Sequence, residues 1–467
     1  MYKQLLWTVL ALAALPHDGL ARQLPALTRL AVQARADVPD LKCEPKAATP
    51  RTPASPNPDP MEMPTAELVE SLALPPALPP APPYAASALP LPTRPLRIAI
   101  WGDSHLAANF FTEELSKQWE IPADASMHAL IPANMGRAGV RLPLRQSCVS
   151  PQWKYELAYL GGENASAPGP GLVNMVSAEA GASLAWDVRK PGQRGPETVR
   201  ILYQQTAAPL LIGLQVDGGP EREITLAASP GPAILELAAE QPISQLAVRL
   251  IDGRLRFHGL ALMAAQASPY VMDVFGYPGS TVAGWKHADL AYLSSWFAQR
   301  DDQLVMLEFG TNEGNVKPFD AAGYRRILSE SVQNLKTVFP RAACVLIAPG
   351  DRGVLVPRSA NLRTKKAARG GPKQARPGKA AAIDLYLYAK IHAEIGRIEA
   401  QVGGAAGCGV WSMQTAMGGP GSAYDWARQS PPLMAKDLIH FTVAGYQRLA
   451  RMFARDMGWR AGPGGPP

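Results

Sequence analysis

Residues 96–101 read Leu-Arg-Ile-Ala-Ile-Trp, an apolar, β-branched run that stops at Gly102-Asp103-Ser104-His105 and gives way at once to Leu106-Ala107-Ala108-Asn109-Phe110-Phe111. A strand with apolar side chains at successive positions needs both faces covered, which is the condition of a parallel sheet lying between helices. The pattern recurs. Tyr270-Val271-Met272-Asp273-Val274-Phe275 runs into Gly276-Tyr277-Pro278-Gly279-Ser280-Thr281, and Leu304-Val305-Met306-Leu307-Glu308-Phe309 into Gly310-Thr311-Asn312-Glu313. A further strand is expected at 342–348 and a short one near 410–412. Between and after them, helical spacing is expected at 110–119, from an Asp320 cap to about 339 with Tyr324, Ile327, Leu328, Val332 and Leu335 on one face, at about 380–401, and after His440. Strands alternating with helices predict an α/β fold whose parallel sheet is covered on both faces, with its chemistry beyond the carboxyl ends of the strands.

One stretch departs from this. Residues 172–266 carry short runs such as Thr198-Val199-Arg200-Ile201-Leu202-Tyr203 and Leu246-Ala247-Val248-Arg249-Leu250, separated by Gly, Pro and Asp. Their alternation of apolar and polar residues is that of half-buried antiparallel strands. We therefore expect a β-sandwich inserted at 165–267, which splits the α/β domain into 95–160 and 268–460. The insertion serves either polysaccharide binding or shape alone.

The first residues carry a signal-peptide pattern at 1–21: Lys3, an apolar stretch over 5–15, then Gly19-Leu20-Ala21. Export to the periplasm or cell envelope is the expectation, with no membrane-spanning segment after removal of the signal. The 46 prolines are unevenly spread, and Pro and Ala dominate from about residue 37 to 94. Such a composition favours extended polyproline conformation and builds no core, so 22–94 reads as a largely disordered tether with a short helix around 65–74. Residues 461–467 read as a disordered tail. Four cysteines (Cys43, Cys148, Cys344, Cys408) in an exported chain allow two disulfides in any of three pairings, and Cys344, inside a predicted strand, also suits a buried small hydrophobe. None has metal-site spacing. The net charge of +7 suits an anionic polymer without identifying one, and no nucleic-acid-binding motif is present. A basic segment, 363–379, is either a surface loop or a contact to anionic wall polymer.

Taken alone, Gly102-Asp103-Ser104 is equally an ordinary polar turn in which Ser104 caps a helix. As a nucleophile, serine needs a base within hydrogen-bond reach and a partner to orient that base. Asp437-Leu438-Ile439-His440 supplies both: a carboxylate to hold one imidazole nitrogen and a second nitrogen free to take the Ser104 proton. A developing oxyanion needs donors already aimed at it. Asn312 offers a side-chain amide, and Gly279 a backbone N–H with no Cβ in the way. Each of these motifs is commonplace singly. What distinguishes the chain is that serine, glycine and asparagine all fall at strand ends of one sheet.

In these residues the chain resembles the SGNH (GDSL-type) hydrolase superfamily. Gly102-Asp103-Ser104, Gly279, Gly310-Thr311-Asn312-Glu313 and Asp437-x-x-His440 follow its four blocks in order, over about 96–459 apart from the β-rich insertion. The resemblance implies a flavodoxin-like three-layer α/β fold and an acyl-serine mechanism without metal or cofactor. It implies Ser104 as nucleophile and donor of one backbone N–H, Gly279 and Asn312 as the other oxyanion donors, His440 as base and Asp437 as its orienter. The Gly-x-Ser-x-Gly elbow of α/β-hydrolases is absent around Ser104. A narrower resemblance, to exported bacterial peptidoglycan O-acetylesterases, rests on His105, the β-rich insertion, Ala348-Pro349-Gly350-Asp351-Arg352-Gly353 and Trp411-Ser412-Met413-Gln414-Thr415-Ala416-Met417-Gly418-Gly419. It implies removal of the acetyl ester from the C6 hydroxyl of muramoyl residues, with O-acetylated peptidoglycan or another acetylated polysaccharide as partner. An O-acetyltransferase using the same residues, and a non-catalytic glycan-binding wall protein, are the competing readings.

Overall fold

The computed structural model describes residues 24–43, 60–70, 96–119, 126–127, 129–190, 195–205, 208–228, 230–264, 268–359, 361 and 383–459. The expected signal peptide, the basic segment 363–379 and the tail 461–467 lie outside them.

A six-stranded sheet carries the strands in the spatial order Ser126–Met127, Tyr270–Gly276, Leu96–Gly102, Leu304–Glu308, Ala343–Ala348, Gly409–Ser412, and every neighbouring pair is parallel. Apart from the two-residue edge strand, chain order across the sheet is 2-1-3-4-5, the flavodoxin-like arrangement. Period-two alternation sends the side chains of each strand to opposite faces. Ala99, Trp101, Val305, Leu307 and Leu346 pack with helices Ala321–Val338 and Leu387–Ala406 on one side. Ile98, Ile100, Met306, Val345 and Ile347 pack with helices Phe110–Gln118 and Val443–Asp456 on the other. Hence the successive apolar residues: each strand is covered twice. Helix starts follow local chemistry, with the Asp320 carboxylate accepting from Gly323 N at 2.8 Å and the Thr442 hydroxyl from Gly445 N at 3.2 Å.

The β-rich residues form two antiparallel sheets. One is built on Gly231–Ala238, Thr198–Gln205, Leu255–Met263, Val173–Ser177 and Lys154–Leu157, with Leu130–Pro132 also on Leu255–Met263. The other runs Arg222–Leu226, Leu210–Val216, Gln245–Asp252, Ser183–Asp187, Gln146–Val149. Both contribute to one hydrophobic cluster, Ile201, Leu235 and Leu260 from the first and Leu184, Leu214 and Val248 from the second. These sheets begin well before residue 165. Leu130–Pro132, Gln146–Val149 and Lys154–Leu157 fall in the span expected to belong to the α/β domain. They are three or four residues long and the last two carry no apolar run, so only their pairing partners reveal them.

The segment 22–94 is also more than a spacer. Ala26–Ala31 adds a parallel edge strand to Gly231–Ala238, Met61–Glu62 pairs antiparallel with Val356–Pro357, and Ala66–Glu70 forms the short helix expected there. Edge pairing rests on main-chain N–H and C=O groups that any residue but proline supplies in full, so composition does not report it. Two disulfides, Cys43–Cys148 and Cys344–Cys408, select one of the three pairings, and Cys344 is a bonded half-cystine rather than a free small hydrophobe. Among the described residues no helix is long and apolar enough to cross a membrane.

Candidate active site

At the carboxyl end of Leu96–Gly102, a Cβ on residue 102 would lie 2.7 Å from the Glu308 carbonyl oxygen and 2.6 Å from Leu106, so only glycine lets the turn close against the next strand. The Asp103 carboxylate then accepts from His105 N at 2.9 Å and caps the helical turn Ser104–Ala107. This places Ser104 first in that turn, beside the crevice between Leu96–Gly102 and Leu304–Glu308 where chain order reverses.

The histidine arrives from the other end of the chain. Residues 435–440 fold back on themselves, with Ala435 N donating to His440 O at 2.8 Å and Leu438 N to Ala435 O at 3.1 Å. Leu438 holds a left-handed φ of 58°, stabilised by burial of its side chain against Val356, Tyr386 and Tyr424 and by Gly353 N donating to its carbonyl at 3.0 Å. The reversal aligns the carboxylate with the ring. Asp437 Oδ1 accepts from Ile439 N and His440 N, both at 3.0 Å, and Oδ2 lies 2.7 Å from His440 Nδ1. His440 Nε2 in turn lies 2.9 Å from Ser104 Oγ. Partial burial works against the Asp437 charge, but the His440 ring and the two backbone N–H groups outweigh it and hold its carboxyl well below the usual range. The same hydrogen bond raises the His440 imidazole above its ordinary 6.5, against the opposing effect of burial. An ionised Asp437 keeps a proton on Nδ1, which leaves Nε2 facing the serine as acceptor.

Two other histidines stand close by and are held neutral. Burial pushes His105, whose Nδ1 lies 3.2 Å from the Tyr446 hydroxyl, down to about 3, and pushes His392, whose Nδ1 lies 2.7 Å from Gly350 O, down to about 4. The Nδ1 partner of each is a neutral oxygen rather than a carboxylate, and the more distant Asp437 charge offsets the burial of His105 only in part, whereas His440 has Asp437 in direct contact.

Gly279 occupies the third position of the turn Tyr277–Ser280, at φ 90°, with Ser280 N donating to Tyr277 O at 3.1 Å. Proline second and glycine third is the signature of a type II turn, in which the third residue must take positive φ. The Ser280 hydroxyl pins this turn to Gly102 O at 3.0 Å, and no atom lies within 4 Å of where a Gly279 Cβ would be. Asn312, after strand Leu304–Glu308, donates from Nδ2 to Ser280 O at 2.8 Å and to Asp103 Oδ2 at 3.3 Å. The structure thus gathers Ser104, His440 and Asp437 into one hydrogen-bonded chain and links Asn312 to the Gly279 turn through Ser280. The Asn312 amide is already occupied at both contacts, so service to an oxyanion requires release of the longer one. Asp103 competes for it only weakly below about pH 6, because burial pushes its carboxyl up to about 6 and protonates it there.

Glu313 has no role in the sequence reading beyond membership of its block, yet its carboxylate ties two strand ends together. Oε1 accepts from Val282 N at 2.8 Å and Oε2 from Gly310 N at 3.0 Å, while burial pushes the group up to about 7. The available signal was an acid five residues beyond a buried strand, in the turn that leaves the core, where a carboxylate needs backbone N–H groups to accept from.

The β-rich part also holds a cavity of about 960 Å³, lined by Val32, Arg35, Leu214, Val216, Arg222 and Glu240 among others, without an aromatic ring. It lies against the N-terminal edge strand rather than at the serine.

No protein-family model and no curated protein matches the chain. Among solved structures it is similar to one described as a peptidoglycan O-acetylesterase in action, at 20% identity and a TM-score of 0.54, over 78% of this chain and 90% of that one. It is also similar to a family two carbohydrate esterase from Clostridium thermocellum, at 9% identity and a TM-score of 0.26, over 66% of this chain and 99% of that one. The parallel sheet in flavodoxin-like order, the four sequence blocks set along its carboxyl edge and the likeness to the first of these structures together give the chain the three-layer α/β fold of the SGNH hydrolases.

Proposed function

We propose that the protein is an exported serine esterase that removes O-acetyl groups from a cell-wall glycan, with the C6 acetyl ester of muramoyl residues in peptidoglycan as its substrate. The observation that carries this reading is the unbroken chain from Asp437 through His440 to Ser104, at 2.7 and 2.9 Å, ending at a switch point of the sheet. Ser104 Oγ attacks the acetyl carbonyl carbon while His440 Nε2 takes its proton. The oxyanion is received by the backbone N–H groups of Ser104 and Gly279 and by Asn312 Nδ2. Collapse breaks the bond to the sugar oxygen, which leaves with the proton from His440. Water then attacks acetyl-Ser104, with His440 again as base, and acetate departs.

The choice of an acetylated wall glycan is supported by the sequence segments around His105, 348–353 and 411–419 and by the likeness to an esterase structure bearing that name. Action in the periplasm or cell envelope follows from the signal-peptide pattern at 1–21. The test is acetate release from purified O-acetylated peptidoglycan by the mature protein beside its Ser104→Ala variant. Release that falls by about 10⁴-fold or more in the variant is expected. Hydrolysis of a small aryl acetate without release from peptidoglycan would move the substrate to another glycan, and an equally active Ser104→Ala protein would end the serine reading.

A further inference from the structure

On the carboxyl edge of the sheet that also carries Ser104, Tyr388 holds two cations. The Arg352 guanidinium carbon sits 3.8 Å from the centre of its ring and Lys317 Nζ 4.5 Å from it. Arg352 follows strand Ala343–Ala348, and Lys317 follows the turn Glu313–Asn315 that opens with Asn312. Both therefore belong to loops that also build the site: Gly353 N holds the Leu438 carbonyl inside the Asp437–His440 reversal, and Arg352 Nη1 donates to Asn315 Oδ1.

What sets these cations apart is that, among the described residues, no carboxylate pairs with them at contact distance, Asp437 acting on Arg352 only from farther off. Arg300 beneath the same sheet, by contrast, holds Asp273 and Asp302, each at 2.6 Å. Arg352 is half-buried, and its Nε is fully enclosed with no hydrogen-bond partner. Desolvating a guanidinium is costly unless the charge is answered, and a ring face answers it only in part. Two like charges brought to one ring repel, so an anion between them relieves a penalty that the protein alone leaves in place.

We propose that Arg352 and Lys317, gathered on Tyr388, bind a carboxylate of the acetylated glycan and so fix which ester reaches Ser104. This rests on the esterase reading above. The carboxylate belongs either to the acetylated sugar itself, as in a uronic acid, or to a peptide attached to it, as in peptidoglycan. A planar guanidinium presents parallel N–H donors that match a carboxylate, and Lys317 adds an exposed point charge free to approach it.

Binding is read separately from catalysis by titrating the full-length Ser104→Ala protein calorimetrically with three acetylated ligands: a muropeptide, an oligogalacturonate and a neutral chito-oligosaccharide. The expected result is that one carboxylate-bearing ligand binds about tenfold or more tightly than the neutral one. The identity of that ligand names the source of the charge. The advantage disappears when Lys317→Gln is added, shrinks with added salt, and is also lost with Arg352→Gln. Lys317 is exposed, so its substitution leaves folding intact. Equal binding of charged and neutral ligands, or a preference that survives Lys317→Gln, overturns the proposal. In the active protein the matching readout is KM rather than kcat: Lys317→Gln raises KM for the charged substrate and lowers its advantage over a neutral aryl acetate. Loss of acetate release from every substrate, with carboxylate binding retained, would overturn the esterase reading and leave the anion site standing.

Discussion

The central strands of the parallel sheet are buried on both faces, whereas the antiparallel sheets range from strands as buried as Val173–Ser177 to an edge strand, Arg222–Leu226, that leaves most of its side chains at the surface. A doubly covered strand has a sharp end: where the apolar run stops, the chain must leave the core through a turn able to satisfy its own backbone groups. Gly102-Asp103, Pro278-Gly279 and Gly310-Thr311-Asn312 are such exits, and the parallel arrangement places all three on one edge. Antiparallel neighbours run in opposite directions, so their strands end on two opposite edges, and no constellation of polar groups comparable to the Ser104 site collects there among the described residues. The two regions are both well packed, but only one concentrates its turns.

If that edge acts as a relay, removing the charge of Asp437 while keeping its shape should damage turnover without unfolding the sheet. Asp437→Asn is expected to lower kcat/KM by about 10²-fold or more. The pH profile sharpens the point. If His440 is the base, activity requires its neutral form, and since its imidazole is raised first by its hydrogen bond to Asp437, the rate should climb with pH through a midpoint above 6.5. With the carboxylate gone, only burial remains among the large influences, and it lowers the midpoint. A profile that stayed in place would show that Asp437 does not set the basicity of the ring.

Asn312 tests the other half of the edge. Asn312→Ala should cost about 10²-fold in kcat with little change in KM, since a donor aimed at the developing oxyanion acts in the transition state and not before it. The same change removes the 2.8 Å bond to Ser280 O, so thermal unfolding should be recorded beside the kinetics. A rise in KM at constant kcat would make Asn312 a support of the Gly279 turn and no more.

These residues were legible in the sequence because each sits where a continuous apolar run meets a residue type with one strong conformational reason to be there. Gly102 is forced by contact with Glu308, Gly279 by positive φ, and Asp103 by the helix start it caps. Glu313 stood in plain view without a role, because accepting Val282 N and Gly310 N depends on a tertiary approach that local pattern does not contain. The strand Ala26–Ala31 was missed for a related reason. Five of its six side chains are exposed, so it leaves no hydrophobic signature, and its partner lies some two hundred residues away. Gln146–Val149 and Lys154–Leu157 share that silence.

The docked N-terminal strand supplies the mildest way to separate the two regions. Its ion pair from Arg29 to Glu236, at 2.9 Å, joins an arginine that is 71% exposed and contributes little. What holds it is the main-chain pairing with Gly231–Ala238, reinforced by the bond from Cys43 to Cys148 across 105 residues of chain. Replacing both cysteines with serine frees the unfolded chain from that closure, at a cost of about 2–4 kcal/mol and a drop of roughly 5 °C or more in melting temperature. Hydrolysis of a small acetate ester at 25 °C should stay at the wild-type rate, because no residue of the Ser104 edge depends on this strand for its position. Differential scanning calorimetry beside the ester assay decides it. A matching fall in activity would mean that the antiparallel sheets and the carboxyl edge move as one mechanical unit, and the division between a region that packs and a region that reacts would have to be given up.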